Sequence, residues 1–136
     1  MIKEFNSKYL DEVYKLGKII NSNFDNLYNE QSLNDGVNRT ILYTINHNLI
    51  GFLHFQQIFD EIDIINLAID VDYRNMGYAT DLLNYLEKLS SGRRITLEVS
   101  EANNIAINLY RKCGFKEIGR RKGYYSGIDA IIMEKK

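Results

Sequence analysis

The chain has no proline and no tryptophan, a single cysteine (Cys113) and two histidines. One cysteine excludes an internal disulfide, and no Cys/His set has zinc-ligand spacing, so no metal site is expected. No apolar run is long enough to span a bilayer. The first residues, with Lys3 and Glu4 among them, do not read as a signal peptide, so a cytoplasmic location is the expectation. Strong charge of either sign is also missing. A formal net charge of −1 argues against a nucleic-acid footprint, which is usually basic. The missing proline, with abundant Asn, Ile, Lys and Tyr, reads as a compositional habit of the source.

What is present describes one globular domain spanning residues 1–136. Hydrophobic residues make up 45% and charged residues 26%, in a chain long enough for a real core. Residues 1–5 read as a short strand. Asn6 or Ser7 can cap a helix to about Asn21, with Tyr9, Leu10, Val13, Leu16 and Ile20 inward. The polar stretch 21–36 fits either a short helix (27–33) or a loop. Residues 39–45 and 49–58 read as strands around an Asn46-His47-Asn48 turn. Residues 62–71 form a central strand, and a helix follows over 77–89. After the Ser90-Ser91-Gly92 turn, 95–99 is a buried strand. Ser100 is expected to cap a helix over 102–113, with Ile105, Ala106, Leu109 and Cys113 on its inner face. Strands at 115–118 and 130–134 follow, joined by a loop holding Lys122 to Gly127. This order predicts an α/β (α+β) domain: a mixed sheet with helices on both faces.

One run stands out. Arg74-Asn75-Met76-Gly77-Tyr78-Ala79 lies between the central strand and the helix whose inner face is Ala79, Leu82, Leu83, Leu86 and Leu89. A turn that ends at a helix N-terminus aims backbone N–H groups and the positive end of the helix dipole at one spot, which suits a phosphate or diphosphate. Gly77 permits close approach, and Arg74 adds charge-assisted bonds.

The run matches the Arg/Gln-x-x-Gly-x-Gly/Ala signature of the GCN5-related N-acetyltransferases (GNAT superfamily), and the chain resembles that family. Leu97-Glu98-Val99, Asn103 to Tyr110, Gly114-Phe115, Arg121 to Tyr125 and Asp129 to Met133 follow in the order of one subfamily, the bacterial ribosomal-protein-alanine (RimI-like) N-acetyltransferases. The resemblance covers residues 60–136 and is only general before them. It implies the GNAT fold, with a mostly antiparallel sheet of six to seven strands, and acetyl-CoA as cosubstrate. The backbone of Leu67, Ala68 and Ile69 would pair with pantetheine, aided by the Asn103 side chain. The strand carrying them would splay from its neighbour at 95–99. Amides of Met76, Gly77, Tyr78, Ala79 and Thr80 would hold the diphosphate, with Arg74 and Asn75 beside them. The Ile69 N–H would meet the oxyanion.

The same resemblance marks Glu98 as general base, acting through water, and Tyr110 as the group facing the sulfur. On the residues alone, Glu98 between Leu97 and Val99 is either buried, with a carboxyl raised from about 4.3, or turned to solvent by alternation. Glu101 is read as a helix-cap residue instead. A phenol near 10 is a weaker acid than a thiol near 8.5, so full proton transfer from Tyr110 would cost about 2 kcal/mol. Tyr124, Tyr125 and Asp129 would line the acceptor groove. Cys113 reads as packing, and His47 and His54 as a turn and a strand residue.

An α-amine, near 7.7–8.0, loses its proton more readily than a lysine, near 10.4, by about 3.5 kcal/mol, which favours N-terminal acetylation by a single carboxylate. With the resemblance, this points to the N-terminal alanine of a small-subunit ribosomal protein. Family members often carry an aromatic-Pro-Trp-Ser stretch beside the acceptor. This chain has Asn23-Phe24-Asp25-Asn26-Leu27 there, which leaves two alternatives open: a small-molecule amine acceptor (polyamine, amino acid or antibiotic), or a non-catalytic acyl-CoA-binding module.

Overall fold

A computed structural model describes all residues 1–136. The elements run β1 (Ile2–Glu4), α1 (Leu10–Ile20), α2 (Phe24–Leu27), α3 (Glu30–Leu33), β2 (Asn38–Ile45), β3 (Asn48–Ile58), β4 (Glu61–Ile69), α4 (Tyr78–Ser90), β5 (Arg94–Ser100), α5 (Asn104–Lys112), β6 (Lys116–Tyr125) and β7 (Ile128–Lys135). Seven strands form one sheet in the order β1-β2-β3-β4-β5-β7-β6. Only β4 and β5 pair in parallel, because α4 crosses over between them. No helix is long and apolar enough to cross a membrane.

Helices cover one face of the sheet broadly and the other face over β2 to β4, which is why β3 reads as a nearly unbroken apolar run. Ile41, Leu53, Phe55, Ile64, Leu97 and Val99 face α4 and α5, packing with Leu82, Leu83, Leu86, Ile107 and Tyr110. Leu42, Phe52 and Ala68 face the other way, toward α1 and Phe24. The first helix begins as a 3₁₀ turn at Ser7–Tyr9, capped by Asn6, whose side chain accepts from the Lys8 amide. Tyr9, Val13 and Leu16 are buried as expected, whereas Ile20 is exposed. The Asn-rich 21–36 stretch holds two short helices, and Phe24 from the first is fully buried.

Three expectations need correction. Asn103, not Ser100, caps α5: its side chain accepts from the Ala106 amide at 3.1 Å, while Ser100 Oγ accepts from Ala102 ahead of the helix. The inner face also differs: Ile107 and Tyr110 are buried and Ile105 is 84% exposed, while Ala106, Leu109 and Cys113 pack at the margin. The segment expected as a loop is mostly strand. β6 runs to Tyr125, and Ser126-Gly127, both at positive φ, make the turn.

Candidate functional site

The site begins with a defect in a strand. β3 and β4 pair His54 with Asn66 and then Phe55 with Ile64, so Ile65 is an extra residue in β4. A bulge bends its strand and strengthens the local twist. The pairing of β4 with β5 ends at that point, the last pair being Ile64 with Leu97. Beyond it Ile65–Ile69 keep β3 on one side and have no strand on the other. The two strands therefore fork, with Leu67, Ala68 and Ile69 on one arm and Glu98 on the other.

At the open end of the fork, β4 passes into a short 3₁₀ turn (Val71–Tyr73) and then the glycine turn. Asn75 and Gly77 have φ of 62° and 87°, conformations that glycine and asparagine tolerate best. Asp81 makes the first α4 bond, to the Gly77 carbonyl. The amides of Gly77, Tyr78, Ala79 and Thr80 thus have no acceptor within the helix. The 13-residue helix behind them adds its dipole. Arg74 folds back, its Nε donating to the Ile69 carbonyl at 3.2 Å, which fixes a positive charge at the end of β4. These groups fit a diphosphate attached to a chain that follows the β4 edge.

Glu98 and Tyr110 lie on opposite faces of the sheet. Tyr110 belongs to the core that holds Leu97 and Val99, with its ring against Phe115 at 5.7 Å. Burial, with a smaller contribution from Cys113, pushes its phenol up to about 12. Every fully buried polar side-chain atom has a hydrogen-bond partner, and the Tyr110 hydroxyl makes no bond to protein, so it lies at an accessible surface. Glu98 alternates to the other face and is not buried among Leu97 and Val99, against one of the two readings of the sequence. Its carboxylate forms an ion pair with Arg121, Nε to Oε1 at 2.9 Å. A group reaching both residues has to pass through the fork.

Glu98 shares its face with residues that the sequence did not single out. Asp63 accepts from the Thr96 hydroxyl at 3.1 Å. Burial pushes its carboxyl up against that hydrogen bond, and the charges of Glu98 and Glu61 push the same way. The alternation Ile62-Asp63-Ile64 is the same signal that marks Glu98. His54 is 1% exposed. Its Nε2–H donates to Asn38 Oδ1 at 3.0 Å, and its Nδ1 accepts from Asn66 Nδ2 at 3.2 Å, one residue from the bulge. Nothing in the sequence around His54 announces these partners.

The β6–β7 hairpin closes that side. Arg121 lies over the Tyr124 ring at 5.5 Å, and Tyr124 packs edge-on against Tyr125 at 5.1 Å. Burial and then the Glu98 charge push the Tyr125 phenol up. Asp129 has structural work: it accepts from the Gly123 amide at 3.0 Å and lies 3.5 Å from Arg120. The Asn103 side-chain oxygen is used as a cap, which leaves its NH₂ free to donate. Cys113 is half-buried at the core margin. No group of His, Cys, Asp and Glu is arranged to hold a metal ion.

A profile of the acetyltransferase (GNAT) family matches residues 5–115. Over 99 residues the chain is 41% identical to the ribosomal protein bS18-alanine N-acetyltransferase of Haemophilus ducreyi, covering 67% of this chain and 68% of the relative. The crystal structure of the ribosomal-protein-S18-alanine N-acetyltransferase from Escherichia coli superposes with a TM-score of 0.79 at 28% identity, covering 98% of this chain and 91% of that one. An aminoglycoside 6′-N-acetyltransferase complexed with coenzyme A shares the fold, with a TM-score of 0.81 at 19% identity over 99% and 96% of the two chains.

Proposed function

The chain belongs to the acetyltransferase (GNAT) family, and on that premise we propose that it acetylates the N-terminal alanine of a small-subunit ribosomal protein, in the cytoplasm. The observation that carries this reading is the fork between β4 and β5. It joins the amide cradle at Gly77–Thr80 to a carboxylate on one face and a phenol on the other. The relatives named for bS18-alanine acetylation supply the acceptor.

Acetyl-CoA is the cosubstrate of the family, and when bound it supplies an activated thioester. The amides of Met76 to Thr80, with Arg74 and Asn75 close by, hold the diphosphate. The open edge of Leu67, Ala68 and Ile69 orients the pantetheine arm, with the Asn103 NH₂ as a further donor. Glu98 removes the proton from the acceptor amine through water, and the Ile69 N–H offers a donor to the oxyanion. Tyr110 acts as a donor rather than an acid. With the phenol at about 12 and a thiol near 8.5, full proton transfer costs about 5 kcal/mol. A hydrogen bond to the developing thiolate avoids that cost. Tyr124 and Tyr125 wall the groove where a short basic peptide would lie.

The test is a panel read by mass spectrometry: N-terminal alanine peptides, Nα-blocked lysine peptides, polyamines and aminoglycosides, each with acetyl-CoA. The expected result is transfer to the free alanyl terminus. Transfer mainly to a small amine would make the chain a small-molecule acetyltransferase. Saturable acetyl-CoA binding with no transfer to any amine would make it a binding module.

A further inference from the structure

Arg120 and Arg121 are adjacent in sequence and held very differently. Arg120 is surrounded by Glu117 at 3.2 Å, Glu101 at 3.0 Å and Asp129 at 3.5 Å. Arg121 has one carboxylate, Glu98, and one aromatic face, Tyr124; its side chain is 56% exposed. The cause is a local irregularity in the hairpin. Between the pairs Arg121–Ala130 and Tyr125–Ile128, three residues of β6 oppose one of β7. Gly123, at φ +64°, turns the chain there, and Asp129 holds its amide. Arg121 therefore sits at a fixed backbone position with an exposed head. Exposed ion pairs of this kind contribute little to stability, so a ligand can exchange for either partner.

We infer that Glu98 and Arg121 together read the acceptor as an N–Cα–C=O unit, which makes Arg121 a specificity-determining residue. The inference rests on the proposed role of Glu98. An α-amine carries a cation and, one carbon further on, a carbonyl oxygen. Its ammonium, with the water that relays its proton, takes the place of the guanidinium at Glu98, and its carbonyl oxygen takes the place of the carboxylate at Arg121. The guanidinium gives up its carboxylate but gains a carbonyl oxygen, so it keeps a hydrogen-bond acceptor. A lysine side chain or a polyamine displaces Arg121 and returns no acceptor to it. The guanidinium then has neither its carboxylate nor a new acceptor, and nothing offsets its repulsion from the incoming cation. The pair thus selects an amine by what lies beside it, which the amine's own acidity does not do.

The experiment compares two peptides of identical body, one beginning with alanine and one with γ-aminobutyrate, which moves the carbonyl away from the amine. The ratio of their kcat/KM values is measured for the wild type, Arg121→Met and Arg121→Lys. The expected result is a wild-type preference for the alanyl peptide that falls tenfold or more in Arg121→Met, through a higher KM for that peptide. Arg121→Lys restores part of it. Acetyl-CoA binding by calorimetry, retained in both variants, shows that they fold. A ratio that stays the same in Arg121→Met, with the alanyl peptide still acetylated by the wild type, overturns the inference and leaves the proposed function standing. If the wild-type chain acetylates neither peptide, the proposed function fails and the inference fails with it.

Discussion

Lowering the pH from about 7 to about 5 should weaken the fold through a single side chain, His54. Its ring is buried, and both nitrogens are engaged in the neutral form. Burial depresses its pKa from 6.5 to about 4, against smaller opposing effects of the Ser32 backbone and the Asp35 charge. In the unfolded chain the ring protonates near 6.5. Between these values the unfolded state binds more protons than the folded one, so stability rises with pH. The contribution is complete above about 6.5 and is lost as pH falls toward 4. Its full size is about 3 kcal/mol, at about 1.4 kcal/mol per pKa unit, of which about 2 kcal/mol has gone by pH 5. Protonation also turns Nδ1 from an acceptor into a donor facing the Asn66 NH₂, beside the bulge that opens the fork. The assay is urea unfolding of wild type and His54→Gln at both pH values. With a slope of about 1–3 kcal/mol/M, the wild-type midpoint should fall by roughly 1 M more than that of the variant. Absolute stability of the variant is immaterial, because groups common to both proteins cancel. Equal midpoint shifts in the two proteins would refute the reasoning.

Three further outcomes are expected. Tyr110→Phe should fold normally, since the hydroxyl bonds no protein group, yet lose kcat by about 10²-fold; a wild-type rate profile with a limb near 10 that vanishes in the variant would show the phenol acting as an acid, against its position at about 12. Glu98→Gln should lower kcat by about 10²–10⁴-fold, while calorimetry finds acetyl-CoA affinity unchanged; full turnover in the variant would remove Glu98 from the mechanism. Gly17→Ala should lower the melting temperature, because a β-carbon there meets the buried Phe24 ring at 2.5 Å. The overpacking cost of about 1–3 kcal/mol exceeds the helix gain of about 1 kcal/mol. A rise in the melting temperature would mean that the ring moves aside freely.

The glycine turn and the helix after it were legible because their signal is local: a turn residue where positive φ is needed, then leucines at helical spacing. Gly77 and the Leu82, Leu83, Leu86 face are where the sequence puts them. The register of α5 was not, because Ser100 and Asn103 are both good caps and only tertiary contact chooses between them. Ile105 lies outward and Ile107 inward. The extension of β6 from Ile118 to Tyr125 escaped notice for a different reason. An edge strand that is exposed along nearly its whole length has no alternation to display. The bulge at Ile65 leaves no mark in composition, since an extra isoleucine among isoleucines is invisible until its pairing is known. For Glu98, alternation and burial pointed opposite ways, and alternation prevailed. Its partner Arg121 lies 23 positions away across the β7 strand, a distance no local pattern spans.

The sheet has a seam. Between the strands made from residues before α4 and those made after it, the backbone is stitched by four residue pairs, Glu61–Arg94 to Ile64–Leu97. Amide hydrogens along that short parallel stitch should exchange with solvent water sooner than those of the longer antiparallel pairings. Any occupant that lies along the open β4 edge and also touches the β5 side acts as a clasp, so saturating coenzyme at about 100 times its dissociation constant adds about 2.7 kcal/mol to the whole fold. On the proposed function, the cleft that takes the coenzyme is also the line along which the coenzyme fastens the molecule.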